Sequence, residues 1–167
     1  LLLSAEEYLF LCTGNEHPQG DYIAVYTLDY TKKKMTLLKE VSRYLNIPLY
    51  FIGRFTKKGY PSVESWLEGI ANAKYVITDS FHGTVFSLIF EKKFFTFMRF
   101  SDTETLSTNS RISTLLNLTG CEDRLVSNNV DVYEMLSRRM NNKCIQDNLN
   151  EFRRDSLEYL KRSLERK

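Results

Sequence analysis

Histidine is nearly missing from this chain, and cysteine occurs in no arrangement that holds a disulfide or a metal. Of 167 residues two are histidine, His17 and His82, and three are cysteine, Cys12, Cys121 and Cys144. The cysteines are odd in number and widely spaced, no CxxC pair occurs, and neither histidine stands at ligand spacing from them. A disulfide framework and a zinc site are not expected, no metal or cofactor is called for, and a reducing compartment is the natural setting. Charge of one sign is equally scarce. The formal net charge of +2 makes no electrostatic case for nucleic acid or an acidic membrane surface. The lysine runs Lys32–Lys34 and Lys57–Lys58 flank expected elements and read as solvated faces. The opening run Leu1–Leu3 is far too short for a signal peptide or a membrane span, and no basic segment accompanies it. With no initiator methionine either, the start leads to the expectation of a cut through a longer protein, working in the cytoplasm or peripheral to the inner face of a membrane. Several catalytic signatures are also missing: GxGxxG, the P-loop lysine motif, the GxSxG elbow and HExxH.

What is present is the material of one ordinary soluble domain, long enough to bury a core without staples. Ser4 followed by Glu7 resembles a capped first helical turn. After a loop bearing Gly14, Asn15, Pro18 and Gly20, the run Tyr22–Leu28 is almost continuously apolar, as in a strand buried on both faces. Thr31 to Leu45 carries Met35, Leu38, Val41 and Leu45 at helical spacing, and Pro48–Gly53 reads as a second strand. Val63, Trp66, Leu67 and Ile70 share a helical face, which makes Trp66 a core or part-core residue. Tyr75–Thr78 is the third strand, Ser80–Phe90 a helix, and Phe94–Met98 the fourth strand. Helices are expected at Arg111–Leu118, Asp131–Met140 and Gln146–Arg166. Strand and helix alternate at the spacing of βαβ units. The fold class is therefore α/β, a Rossmann-like parallel sheet flanked by helices. Residues 1–145 form the expected domain, and 146–167 a terminal helix of the same unit.

In such sheets ligands sit beyond the carboxyl ends of the strands, and one turn there concentrates chemistry. In Thr78-Asp79-Ser80-Phe81-His82-Gly83-Thr84 a β-branched strand ends in Asp/Ser and opens an apolar helix. His82 would stand among first-turn N–H groups that draw anions. It reads either as a general acid for an anionic substrate or as a cap-region residue bonding locally. Ser80 or Asp79 caps the helix, with capping preferred for Asp79 over orienting an imidazole. Gly83 permits close approach of a backbone or a ligand. Arg111 opens a later helix and reads equally as a bidentate anion grip or a surface ion pair. His17 reads as a surface residue.

Thr78 to Ser87 closely resembles the core motif of the polysaccharide pyruvyl transferase family. Leu1–Ser4, Trp66–Ala73, Asn109–Ile112 with Leu115-Leu116, and Asp123-Arg124 resemble further blocks of that family in the same order. The resemblance implies the donor-side, C-terminal half of a two-domain transferase similar to GT-B glycosyltransferases. Its partners would be phosphoenolpyruvate, a saccharide acceptor and an N-terminal domain of the same protein. It implies His82 as the catalytic acid, with Asp79, Ser80, Phe81, Gly83, Thr84 and Arg111 lining the substrate. One departure stands out: Ser80 occupies a place where some members carry arginine. Arg111, Arg99 or Lys93, or the helix terminus itself, would then have to hold the donor's charge. The other readings are a nucleotide-sugar glycosyltransferase domain and a non-catalytic anion-binding domain.

Overall fold

A computed structural model gives the structure of the protein and describes residues 2–12, 17–54, 59–98, 108–126 and 132–165. Local chemistry starts each element. In α1 (Ala5–Phe10), Ser4 Oγ accepts from the Glu7 N–H while the Glu7 carboxylate accepts from the Ser4 N–H, a closed capping box. Thr31 caps α2 (Lys32–Leu45), and Asn46, at φ 53°, ends it in the left-handed conformation an asparagine tolerates. Ser62 caps α3 (Val63–Ala71). The strands are β1 (Ile23–Tyr26), β2 (Leu49–Phe51), β3 (Tyr75–Thr78), β4 (Lys93–Phe97) and β5 (Leu125–Val126).

All pairings are parallel, in the order β2-β1-β3-β4-β5. The chain therefore winds one way from β1 to β2 and the other way from β3 onward. This reversal between β1 and β3 is the switch point at which doubly wound sheets bind ligands. The α/β, Rossmann-like architecture read from the strand–helix alternation is the architecture found.

Strand alternation sends side chains to two cores. Ala24, Val76 and Phe94 meet Leu67 and Ile70 of α3, Val85 and Leu88 of α4 (Phe81–Ile89), and Ile112 and Leu116 of α5 (Thr108–Thr119). Ile23, Val25, Ile77, Phe95 and Phe97 meet Leu38 and Val41 of α2 and Leu136 of α6 (Val132–Ser137). Each fully buried aliphatic or aromatic side chain contributes roughly 1.5–3 kcal/mol. The first of these layers holds α4 between α3 and α5.

Some boundaries differ from the sequence reading. The first strand stops at Tyr26, because the Leu28 N–H bonds the Asp79 carboxylate at 2.7 Å instead of a neighbouring strand. The terminal helix α7 (Asn142–Glu165) begins before Gln146, since Asn141 Oδ1 accepts the Cys144 N–H at 3.2 Å and caps it. Ile145 and Leu149 of α7 are buried and Gln146, Asn148, Phe152 and Arg153 half-buried; from Arg154 on the helix is exposed and charged, with Leu157, Leu160 and Leu164 uncovered. Asp123 and Arg124 are structural: Arg124 is buried, pairs with Asp123 at 3.1 Å and donates to the Arg138 carbonyl at 3.2 Å. No described helix is long and apolar enough to cross a membrane.

Candidate functional site

The turn between β3 and α4 lies at the carboxyl edge, beside the switch point. Thr78 organises it. Its Oγ1 donates to the Tyr26 carbonyl at 2.7 Å and accepts the Ser80 N–H at 3.0 Å, tying β1, β3 and the turn together. Helix α4 crosses so close to this hydroxyl that a Cβ on Gly83 would lie 2.2 Å from Thr78 Oγ1. The close approach expected of Gly83 is thus made by the Thr78 side chain rather than by a backbone or ligand.

Ser80 caps α4, its Oγ accepting the Gly83 N–H at 3.5 Å. Asp79 does not, which corrects the preferred sequence reading. Strand parity turns its side chain toward α2, opposite to α4. There its carboxylate accepts from Lys34 Nζ at 2.8 Å, from Leu28 N–H at 2.7 Å and from Asp29 N–H at 3.3 Å. Asp79 makes no hydrogen bond with the His82 imidazole. Lys34, expected on a solvated face, is largely buried by this pairing and also meets Asp29 at 3.4 Å. Lys57-Lys58 lie outside the described residues.

Thr84 is fully buried, donating to the Ser80 carbonyl at 3.0 Å and sharing a 2.8 Å hydrogen bond with Thr96. Its side chain holds α4 on β4 and is closed to a ligand. His82 is different. It is exposed in the first turn of α4, where the Phe81 and His82 N–H groups have no intrahelical acceptor. The Phe81 ring stands edge-on to the imidazole, 5.8 Å between centroids, and the exposed Arg111 guanidinium lies 5.4 Å from the same Phe81 ring. The structure thus brings His82, Phe81 and Arg111 together, with Ser80 beneath them. Lys93 begins β4 beside Tyr75, at the opposite edge of the sheet, and does not reach this turn. Arg99 lies outside the described residues. His17 is half-buried at the amino end of β1, its Nδ1 2.9 Å from the Pro18 carbonyl, and takes no part.

On its other flank His82 borders a cleft of about 380 Å³ walled by Tyr26, Gly53, Tyr60, Trp66 and Phe86. Trp66 meets Tyr26 and Phe86 edge-on at 5.1 and 5.4 Å, so it is both part of the core and a wall of the cleft. Gly53, at φ 77°, lies where a Cβ would meet the Tyr26 ring at 2.7 Å. Burial, then the nearby Asp79 carboxylate and Tyr30, raises the Tyr26 phenol above its ordinary value. The cleft and Lys34 escaped the sequence reading. The parity of Tyr75, Ile77 and Asp79 was the one signal that pointed to the α2 face. Among the described residues no group of three or more His, Cys, Asp or Glu is placed to hold a metal ion.

This arrangement joins an exposed imidazole, a helix N-terminus and a guanidinium at the binding edge of a doubly wound sheet. Residues 9–99 match the family described as polysaccharide pyruvyl transferase. No curated protein and no solved structure matches the chain. The matched residues run from α1 through β4 and include the whole β3–α4 turn, with Arg111 lying beyond them. They make up more than half of the chain, which belongs to the polysaccharide pyruvyl transferase family.

Proposed function

We propose that this chain is the donor-binding and catalytic half of a polysaccharide pyruvyl transferase. It would move a pyruvyl group from phosphoenolpyruvate to two hydroxyls of a sugar in a cell-surface polysaccharide precursor. A facing N-terminal half, in a GT-B-like arrangement, would complete the enzyme. The reading includes a location in the cytoplasm or peripheral to the inner face of the membrane.

The observation that carries it is the exposed His82 in the first turn of α4, flanked by Phe81 and Arg111. In the reaction His82 gives a proton to the methylene carbon of the donor, which becomes a methyl group. Positive charge develops on the adjacent carbon, one sugar hydroxyl adds there, and the carbon–oxygen bond to phosphate breaks. A second hydroxyl closes the ketal. One hydroxyl proton returns to His82 and the other leaves with phosphate. Helix N–H groups and the helix dipole attract the anionic donor, and the bound anion in turn favours the protonated imidazole. Arg111 supplies the guanidinium that Ser80 does not.

Replacing His82 with glutamine in the intact enzyme tests this. A general acid contributes about 10²–10⁴-fold, so kcat should fall by that factor with the donor KM little changed. Phosphate release and the mass of the pyruvylated sugar are the readouts. Undiminished turnover would remove His82 as the acid. Transfer from a nucleotide sugar instead would make the chain a glycosyltransferase domain, and anion binding without any turnover a non-catalytic one.

A further inference from the structure

His82 stands between two surroundings of opposite chemistry. Toward α5 it has Phe81 and the Arg111 guanidinium. Toward α3 it has the cleft walled by Tyr26, Tyr60, Trp66 and Phe86, and among the described residues its lining carries no carboxylate, ammonium or guanidinium. An anionic donor on the α3 side would lose water and, among the described residues, meet His82 alone, whereas on the α5 side it meets Arg111 as well. The same walls suit a neutral polyol. Aromatic faces take up the C–H face of a sugar ring, and the phenol, hydroxyl and imidazole groups of Tyr26, Tyr60, Ser62 and His82 can exchange hydrogen bonds with its hydroxyls. The volume of about 380 Å³ lies at the small end of ligand cavities, roughly 300–1,000 Å³. It has room for one or two sugar rings. Tyr60, 77% exposed, forms an aromatic lip at the mouth.

We propose that this cleft is a saccharide subsite that receives a neutral pyranose of the acceptor, with Tyr60 and Trp66 as its stacking walls. It rests on the pyruvyl-transfer reading for the role of that ring as acceptor. Donor and acceptor then approach His82 from opposite flanks, the anion along α5 and the sugar along α3. The imidazole lies at the boundary, where the donor's methylene carbon and the sugar's hydroxyl must both come.

Trp66 is the sole tryptophan of the chain, so its emission reports directly on the cleft. Titration of the protein with neutral methyl hexopyranosides should shift or quench that emission, and Tyr60→Ala, checked to be folded by its cooperative thermal transition, should weaken the response at least fivefold. Inorganic phosphate and hexanol serve as the anionic and purely apolar probes. A response to phosphate alone would make the cleft an anion site, a response to hexanol alone would make it an unspecific apolar groove, and either overturns the proposal. So does saccharide binding that Tyr60→Ala leaves intact. The two readings fail separately. If transfer from phosphoenolpyruvate depends on His82 but saccharides leave Trp66 unmoved, the saccharide subsite is wrong and the transfer reading stands. Saccharide binding at Trp66 without donor turnover gives the reverse.

Discussion

The Asp79 carboxylate lies 2.8 Å from the Lys34 ammonium, linking the end of β3 to the first turn of α2. The same carboxylate holds the Leu28 and Asp29 N–H groups, so one buried side chain fixes the loop after β1 on the far side of the switch point. Asp79 has no exposed side-chain surface and Lys34 little, which makes the pair costly to break from one side only. Lys34→Ala would leave a buried carboxylate without its cation, and a loss of roughly 3–5 kcal/mol is expected. Guanidinium unfolding of Lys34→Ala, Asp79→Ala and the double variant checks it. The double variant should cost clearly less than the two single losses together.

Gly83→Ala sets helix propensity against packing. Alanine gains about 1 kcal/mol in a helix, but its Cβ would fall 2.2 Å from Thr78 Oγ1 and 2.9 Å from Thr78 Cβ. Thr78 cannot swing away without giving up its bonds to the Tyr26 carbonyl and the Ser80 N–H. Overpacking of this kind costs typically 1–3 kcal/mol. We expect a net destabilisation of about 1 kcal/mol and a displaced α4. Adding Thr78→Ala should recover part of the loss, and full stability in the single variant would contradict the close approach.

Much of this is legible in the sequence. The β-branched run Tyr75–Thr78, the serine after it and the apolar period of Val85, Leu88 and Ile89 specify strand, cap and helix by local chemistry alone. So do the capping box of Ser4 and Glu7 and the apolar stripe of α2. Strand β5 was missed because two residues, Leu125 and Val126, are too few to show a period. Lys34 was misread because a run of three lysines is usually solvated. The partner that buries this one, Asp79, lies 45 residues away. The same distance in sequence hid the role of Asp79, which competes well as a cap until its strand parity is considered. Trp66 was read correctly as core, but the cleft it walls is made by Tyr26, Gly53 and His82 from three other segments.

Stability should fall on the alkaline side. Burial raises the Cys121 thiol, and the Tyr22 and Tyr26 phenols, above their ordinary values of 9.0 and 10.0. Groups whose folded-state pKa is raised bind protons more tightly when folded. Their stabilisation is fully present below the unfolded values and is lost as pH rises beyond them. Unfolding free energy, followed by guanidinium titration, should therefore decline from about pH 9 upward. Tyr22→Phe removes the hydrogen bond to the Gly69 carbonyl and should cost about 1 kcal/mol at neutral pH. It should also flatten the alkaline decline, a pairing of effects that simple loss of packing would not produce.

Arg111 separates donor binding from stability. Its side chain is exposed and, among the described residues, lies against the Phe81 ring, so Arg111→Ala should shift unfolding free energy by no more than about 0.5 kcal/mol. If it grips the donor's carboxylate or phosphate, the loss of a charge-assisted pair should raise the donor KM at least tenfold, with the saccharide KM unchanged. Arg111→Lys keeps the charge but loses the planar fork and its stacking on Phe81, so an intermediate KM is expected. Steady-state kinetics on the intact enzyme, varying each substrate in turn, give both constants. An unchanged donor KM in Arg111→Ala would leave, among the described residues, the N-terminus of α4 with its Phe81 and His82 N–H groups as the anion-binding feature beside His82.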